Sequence, residues 1–142
     1  MHPLPAPNAV IADDERLMRV QIIARLKEAW PELSVVGEAS NGHEAVALVQ
    51  SLEPDIVFLD ISMPGMDGLA VARRLRTQVP SARIVVMSQH DPDILLPLAL
   101  AAGADGCLDK SRLKQDILST IERVTSAIKK DAGPDLPLPK PA

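Results

Sequence analysis

Aromatic residues are nearly missing from this 142-residue chain: Trp30 and Phe58 stand alone, and tyrosine is absent. Any interior must therefore be aliphatic, packed from Val, Ile, Leu, Ala and Met. Cysteine is equally scarce. Cys107 is the only one, so no internal disulfide can form, and a reducing cytoplasm is the expected setting. No apolar run approaches the roughly 18 residues needed to span a bilayer, so no membrane contact is expected. The first residues, Met1-His2-Pro3-Leu4-Pro5-Ala6-Pro7, lack the basic and then apolar order of a secretory leader. Positive charge is not in excess either. A net charge of −4 argues against a broad nucleic-acid-binding surface, so no direct nucleic-acid binding is expected.

What is present suits one domain with one core, since hydrophobic residues make up 46% of the chain. Prolines crowd both ends, three within residues 1–7 and four within 133–141. Such segments cannot enter a helix interior or a strand ladder, so residues 1–7 and 131–142 are expected to be extended or mobile, the latter a tail or linker. Between them, short apolar runs near 9–12, 33–39, 56–59, 83–87 and 105–108 read as strands buried on both faces. The intervening stretches read as helices. From Glu15 to Ala29 the expected inward face is Leu17, Val20, Ile23, Ala24 and Leu26. Asn41 and Asp67 are expected caps for helices running to Leu52 and Gln78. Asp91-Pro92 reads as a cap with a first-turn proline, and Ser111 as the opening of a last helix with Leu113, Ile117, Ile121, Val124 and Ile128 inward.

Five strand–helix alternations predict a single-domain α/β fold, a flavodoxin-like doubly wound five-stranded parallel sheet with five helices and strand order 2-1-3-4-5. In that order one sheet edge collects the residues that end the strands: Asp13 and Asp14, Asp60, Ser88 and Lys110. Strand 2, at the sheet margin, ends in Ala39-Ser40-Asn41-Gly42 and offers only a turn and a cap. Three neighbouring acids repel one another, and a hard divalent cation relieves the conflict. Mg2+, or Mn2+ in its place, suits Asp13, Asp14 and Asp60, with the backbone carbonyl of Ser62 as a further oxygen ligand. Asp60 then becomes a nucleophile toward phosphorus, Lys110 a mobile counter-charge, and Ser88 a hydrogen-bond donor to a bound phosphate.

These residues, together with Met63-Pro64-Gly65-Met66-Asp67-Gly68 and Gly103-Ala104-Asp105-Gly106, resemble the receiver domain of bacterial response regulators over roughly residues 8–128 (a domain of 8–130). The wording of residues 35–46 and 60–68 is most similar to receivers of the NarL/FixJ group. The resemblance implies a cytoplasmic two-component switch that takes a phosphoryl group onto Asp60 from a sensor histidine kinase or phosphotransfer protein. It implies no turnover enzyme, only catalysis of the domain's own phosphorylation and dephosphorylation. It also implies a rearranged face formed by the fourth helix, fifth strand and fifth helix, which meets a downstream partner or a second copy. Cys107 stands where the family usually carries Tyr or Phe, so that part of the switch departs from the pattern. Ser111 stands where a proline often follows the lysine, so no cis peptide is expected there.

Blander readings compete. A single aspartate at a strand end is often a turn former, and Asp13 and Asp14 could merely cap the first helix. Only the ordered set favours chemistry. His90 reads as a loop residue near the site, His2 and His43 as surface, Cys107 as a small buried hydrophobe, and Trp30-Pro31 as a helix end packed on the core. Gly68 is expected to permit a close backbone approach. Pro97 predicts a kink, a late start or mobility in the fourth helix. The surplus of apolar residues there, Ile94, Leu95, Leu96, Leu98 and Leu100, predicts that some are exposed to a partner. Two other functions remain. A phosphatase of the haloacid dehalogenase type needs a second acid two residues past the nucleophile, where this chain has Ser62. A degenerate receiver binding partners without phosphorylation sits poorly with the intact acids, Ser88 and Lys110. No helix-turn-helix follows residue 130, which leaves a stand-alone receiver, slightly preferred, or a fragment of a longer regulator.

Overall fold

A computed structural model describes residues 7–63, 67–89 and 92–130, with side chains at 92 and 125–130 excepted. The elements alternate as read from the sequence: β1 (Asn8–Ala12), α1 (Arg16–Ala29), β2 (Ser34–Ala39), α2 (Gly42–Leu52), β3 (Ile56–Asp60), α3 (Gly68–Gln78), β4 (Arg83–Ser88), α4 (Pro92–Ala101), β5 (Gly106–Asp109) and α5 (Leu113–Lys130). A short 3-10 turn, Lys110–Arg112, joins β5 to α5. All strand pairs are parallel, in the order β2-β1-β3-β4-β5. The expected flavodoxin-like arrangement is therefore the observed one.

Alternate residues of the central strands face opposite layers, as the two-residue period of a strand requires. Val10, Val57, Leu59, Ile84 and Val86 pack beneath α2, α3 and α4, through Ala45, Val49, Val71, Leu75, Leu95 and Ala99. Ala9, Ile11, Ile56, Phe58, Val85 and Met87 pack on the other face against Ile22, Leu26 and Trp30 of the α1 end and Ile117, Ile121 and Val124 of α5. β3 is buried along its whole length, whereas β2 is buried only at Ala39. As the sheet's outer strand it has a single strand neighbour, so it is not the fully covered strand that its apolar content suggested.

The caps follow their chemistry. Asn41 accepts from Glu44 N at 2.9 Å and Asp67 from Leu69 N at 2.9 Å, as read from the sequence. Two readings need correction. In α1 the buried residues are Ile22 and Leu26, while Leu17 and Val20 are 77% and 55% exposed and Ala24 is also exposed. Apolar residues surround much of this helix, so its periodicity does not choose a face; packing against the sheet and α5 does. Ser111 does not open α5 as a cap. Asp109 caps the turn before it, accepting from Ser111 N at 2.9 Å and Ser111 Oγ at 2.6 Å.

α4 begins at Pro92 and continues through Pro97, so it does not start late. Ile94, Leu98 and Leu100 are exposed at 71%, 54% and 51%, whereas Leu95 is buried. The readings of residues 1–6, 64–66, 131–142, His90 and Asp91 lie outside the described residues. Among those described, no helix is long and apolar enough to cross a membrane.

Candidate functional site

The carboxyl ends of β1, β3, β4 and β5 form one edge, and the ladder registers bring their last residues level. Asp60 pairs with Met87, and Ser88 pairs with Asp109. Asp13 follows β1 directly, and its N–H extends that ladder by donating to Ala39 O at 3.0 Å. Asp13, Asp60 and Ser88 are 0%, 3% and 1% exposed, and Lys110 is 9% exposed. Burying charge in this way is costly unless each charge finds a partner.

The partners are one another. Lys110 Nζ lies 2.7 Å from Asp13 Oδ2 and 3.3 Å from Asp60 Oδ2. Asp60 Oδ1 accepts from Ser62 N at 3.0 Å, and Asp13 Oδ1 accepts from Glu15 N at 2.9 Å. From α1, Arg19 donates to the carbonyl of Asp13 at 2.7 Å while pairing with Glu38 at 3.0 Å, which clamps the β1 end. Burial pushes the Asp60 carboxyl above the ordinary carboxylate range, against the pull of the Ser62 amide and the Lys110 ammonium. Burial also disfavours the charged form of Lys110, but the Asp13 and Asp60 carboxylates outweigh it and hold the ammonium above its usual pKa.

Asp14 is exposed, and α1 begins without any side-chain cap, so Asp14 is not there to cap it. One carboxylate oxygen from each of Asp13, Asp14 and Asp60 lies within 4.8 Å of the others. Asp13 Oδ2 is buried, with the Lys110 ammonium 2.7 Å away as its counter-charge. Three carboxylate oxygens gathered this closely are the hard donor set that a small divalent cation takes. These residues fit Mg2+. A cavity of about 140 Å3 opens beside the acids, lined by Asp14, Glu15, Asp60, Ser62, Gln89 and Lys110.

Every residue read from the sequence as part of the site is thus at this edge except Cys107. It lies within β5, half-buried on the α4–α5 side, with its thiol pushed up to about 11, first by burial and then by the Asp109 carboxylate. Sequence reasoning passed over Glu15 and Gln89 as cavity walls and Arg19 as a clamp. Gln89 had a signal, since it directly follows a strand-ending site residue. Arg19 had none, because its reach to Asp13 depends on the helix's rotation.

Gly68 has the role expected of it. A Cβ there would lie 2.3 Å from Ile61 Cα and 2.7 Å from Asp60 O, so the loop after Asp60 closes only over a bare backbone.

Comparison with known proteins agrees with the geometry. Residues 9–122 match the model of the response regulator receiver domain. The nitrate/nitrite response regulator protein NarL of Escherichia coli is 39% identical over 119 residues, spanning 82% of this chain and 54% of that protein. The chain therefore spans about half the length of the curated relatives it matches. The signal receiver domain of a NarL response regulator from Mycobacterium tuberculosis superposes with a TM-score of 0.69 at 33% identity, covering 80% of this chain and 94% of that one. The response regulator domain of Thermotoga maritima CheB shares the fold, with a TM-score of 0.74 at 23% identity over 87% of this chain and 97% of that one. With five strands in this order, an acidic edge and these matches, the chain belongs to the response regulator receiver family.

Proposed function

We propose that this chain is a phosphorylation-dependent switch of a two-component system, with Asp60 as phosphoacceptor. The observation that carries the reading is the position of the Lys110 ammonium between the Asp13 and Asp60 carboxylates at 2.7 Å and 3.3 Å. An acid that must attack an anionic phosphoryl group needs its own charge and the incoming charge offset, and this arrangement does that.

Asp13, Asp14, Asp60 and the Ser62 backbone carbonyl are the residues that would hold Mg2+. The ion, when bound, supplies charge neutralisation for the phosphoryl oxygens. An Asp60 carboxylate oxygen forms a bond to phosphorus as the N–P bond of a kinase or phosphotransfer phosphohistidine breaks, and the departing imidazole takes up a proton. Lys110 pairs with one oxygen of the acyl phosphate. Ser88, at the end of β4, donates its hydroxyl to another. That bond exists only in the phosphorylated state, so it biases the structure beyond β4, toward the α4–β5–α5 face. Cys107 on that face supplies no ring to turn inward, so the change travels through the loop and α4.

A haloacid dehalogenase-like phosphatase is disfavoured at the same atoms. The residue two past Asp60 is Ser62, whose side chain is exposed and whose amide is bonded to the Asp60 carboxylate.

The test is incubation with acetyl phosphate and Mg2+, read by intact mass. One added phosphate is expected, lost with a chelator and absent in Asp60→Asn. Undiminished labelling of that variant means another acceptor, and steady phosphate release from generic monoesters means an enzyme.

A further inference from the structure

At the start of β5 a second cavity, of about 120 Å3, opens between α4 and α5. Leu96, Leu100, Cys107 and Val124 line it, and Arg123 stands at its rim. Its volume equals about four waters at ~30 Å3 each, which suits one branched aliphatic side chain. Leu100 is 51% exposed, and Leu98 and Ile94 extend the apolar surface along α4. Arg123 is exposed and has no ion-pair partner among the described residues.

We infer that the chain's own C-terminal segment covers this surface, folding back from α5 to seat a leucine of Leu136-Pro137-Leu138 between α4 and α5. Reach permits it. From Val124 to the end of α5 at Lys130 is six residues, or ~9 Å at 1.5 Å per residue. Residues Asp131-Ala132-Gly133-Pro134-Asp135 then supply five positions for the turn and the return, and extended proline-rich chain advances ~3.1 Å per residue. Leu136 is therefore the first large apolar residue able to arrive at the cavity. Asp135, one residue before Leu136, carries the charge opposite to that of Arg123. Prolines at 134, 137 and 139 restrict the segment to extended backbone beforehand, which lowers the ordering cost of docking. A tether this short also holds the leucines near the cavity at an effective concentration of about millimolar, an advantage that no free partner has. Docked there, the segment competes with any protein that uses the exposed leucines of α4.

Cys107 makes the test direct, because it is the chain's only thiol and lines the cavity. Iodoacetamide alkylation of the full chain at pH 9.5 is compared with that of the Leu136→Ser, Leu138→Ser double variant, each normalised to its rate in urea. A segment docked in about nine molecules of ten slows labelling about ten-fold, so the double variant is expected to react about ten times faster. A second variant, Leu136→Cys, is oxidised with diamide at low protein concentration. An internal disulfide between Cys107 and the thiol introduced at position 136, seen as a loss of two hydrogens in a monomer, is the expected product. Equal alkylation rates overturn the inference. So does a disulfide found only between chains, or protection of Cys107 that disappears on dilution, both of which assign the cavity's occupant to a second copy.

Discussion

Replacing Gly68 with Ala tests whether the backbone that leaves β3 at Asp60 is held by contact or merely rests near α3. The added Cβ would sit 2.3 Å from Ile61 Cα, 2.7 Å from Asp60 O and 3.1 Å from Ile61 C. Carbon atoms in contact prefer about 3.5–4.0 Å, so backbone must part by more than 1 Å. No rotamer can relieve this, because a Cβ has no torsion of its own. The segment cannot yield freely either: Ile61 N donates to Met87 O at 3.1 Å and Gly68 N donates to Ile61 O at 3.2 Å. Forced overpacking of this kind costs about 1–3 kcal/mol, and backbone on both sides places it toward the upper end.

Trp30, the only tryptophan and fully buried, reports unfolding by fluorescence. A loss of about 2 kcal/mol lowers the urea midpoint by roughly 1 M at an m-value near 2 kcal/mol/M. Gly37→Ala is the control. There the nearest atoms are Leu52 Cδ1 at 3.2 Å and Leu48 Cδ1 at 3.5 Å, both at ends of side chains that can shift. Its midpoint should move by less than half as much. Because the displaced backbone is that of Asp60 and Ile61, acetyl phosphate labelling of folded Gly68→Ala should also slow by at least about ten-fold, the factor for 1.4 kcal/mol in a barrier. A Gly68→Ala protein with parental midpoint and labelling rate would show that the close approach has no physical consequence.

Arg76→Ala should lower stability by about 2 kcal/mol in the same urea assay, because the guanidinium joins Asp105 at 2.6 Å with the carbonyls of Gly103, Pro80 and Ala82, discounted for its partial exposure. Lys110→Met should cost about 3 kcal/mol at neutral pH by leaving two buried carboxylates without their cation. Its pH dependence follows from sign: a lysine held above 10.5 in the folded state stabilises fully below pH 10.5 and loses that contribution as pH climbs through its folded value. The gap between parent and Lys110→Met should therefore narrow above pH 10.5, while Cys107 titrates in both; a constant gap would refute the pairing. Glu53 closes α2 with φ 45 and ψ 58, so Glu53→Gly should raise stability by about 0.5–1 kcal/mol, the left-handed penalty less the entropy of a glycine.

Much of the fold was legible because the local signals there are strong and agree. Apolar runs of strand length, separated by amphipathic stretches, admit few topologies once right-handed crossovers are required. Asn41 and Asp67 cap where their chemistry says they should. The acids, Ser88 and Lys110 were legible as a set because each stands within two residues of the end of an apolar run. The misses share a cause. The rotation of α1 was ambiguous because apolar residues occupy most of its surface, and only α5 and the sheet resolve it. Asp109 and Ser111 both have capping side chains, and which one acts depends on where β5 ends. The Arg76–Asp105 tie spans 29 residues, and nothing in either local sequence announces it.

The site's precision comes from neighbours that take no part in the chemistry. β2 contributes no acid, yet Ala39 O fixes the backbone of Asp13. β4 holds Ile61 through Met87 O and so sets the exit of the chain from Asp60. Asp109 anchors the turn on which Lys110 stands, by accepting from Ser111. With the backbones held, Asp13 and Asp60 cannot separate to lessen their repulsion, and a single ammonium must serve both. The ammonium is nearer Asp13, and Asp60 keeps the longer contact while burial holds its carboxyl above the ordinary range. That imbalance follows from the sheet register rather than from the acids themselves. It leaves Asp60 with the longer ion pair of the two buried carboxylates, beside a cavity that its own side chain lines.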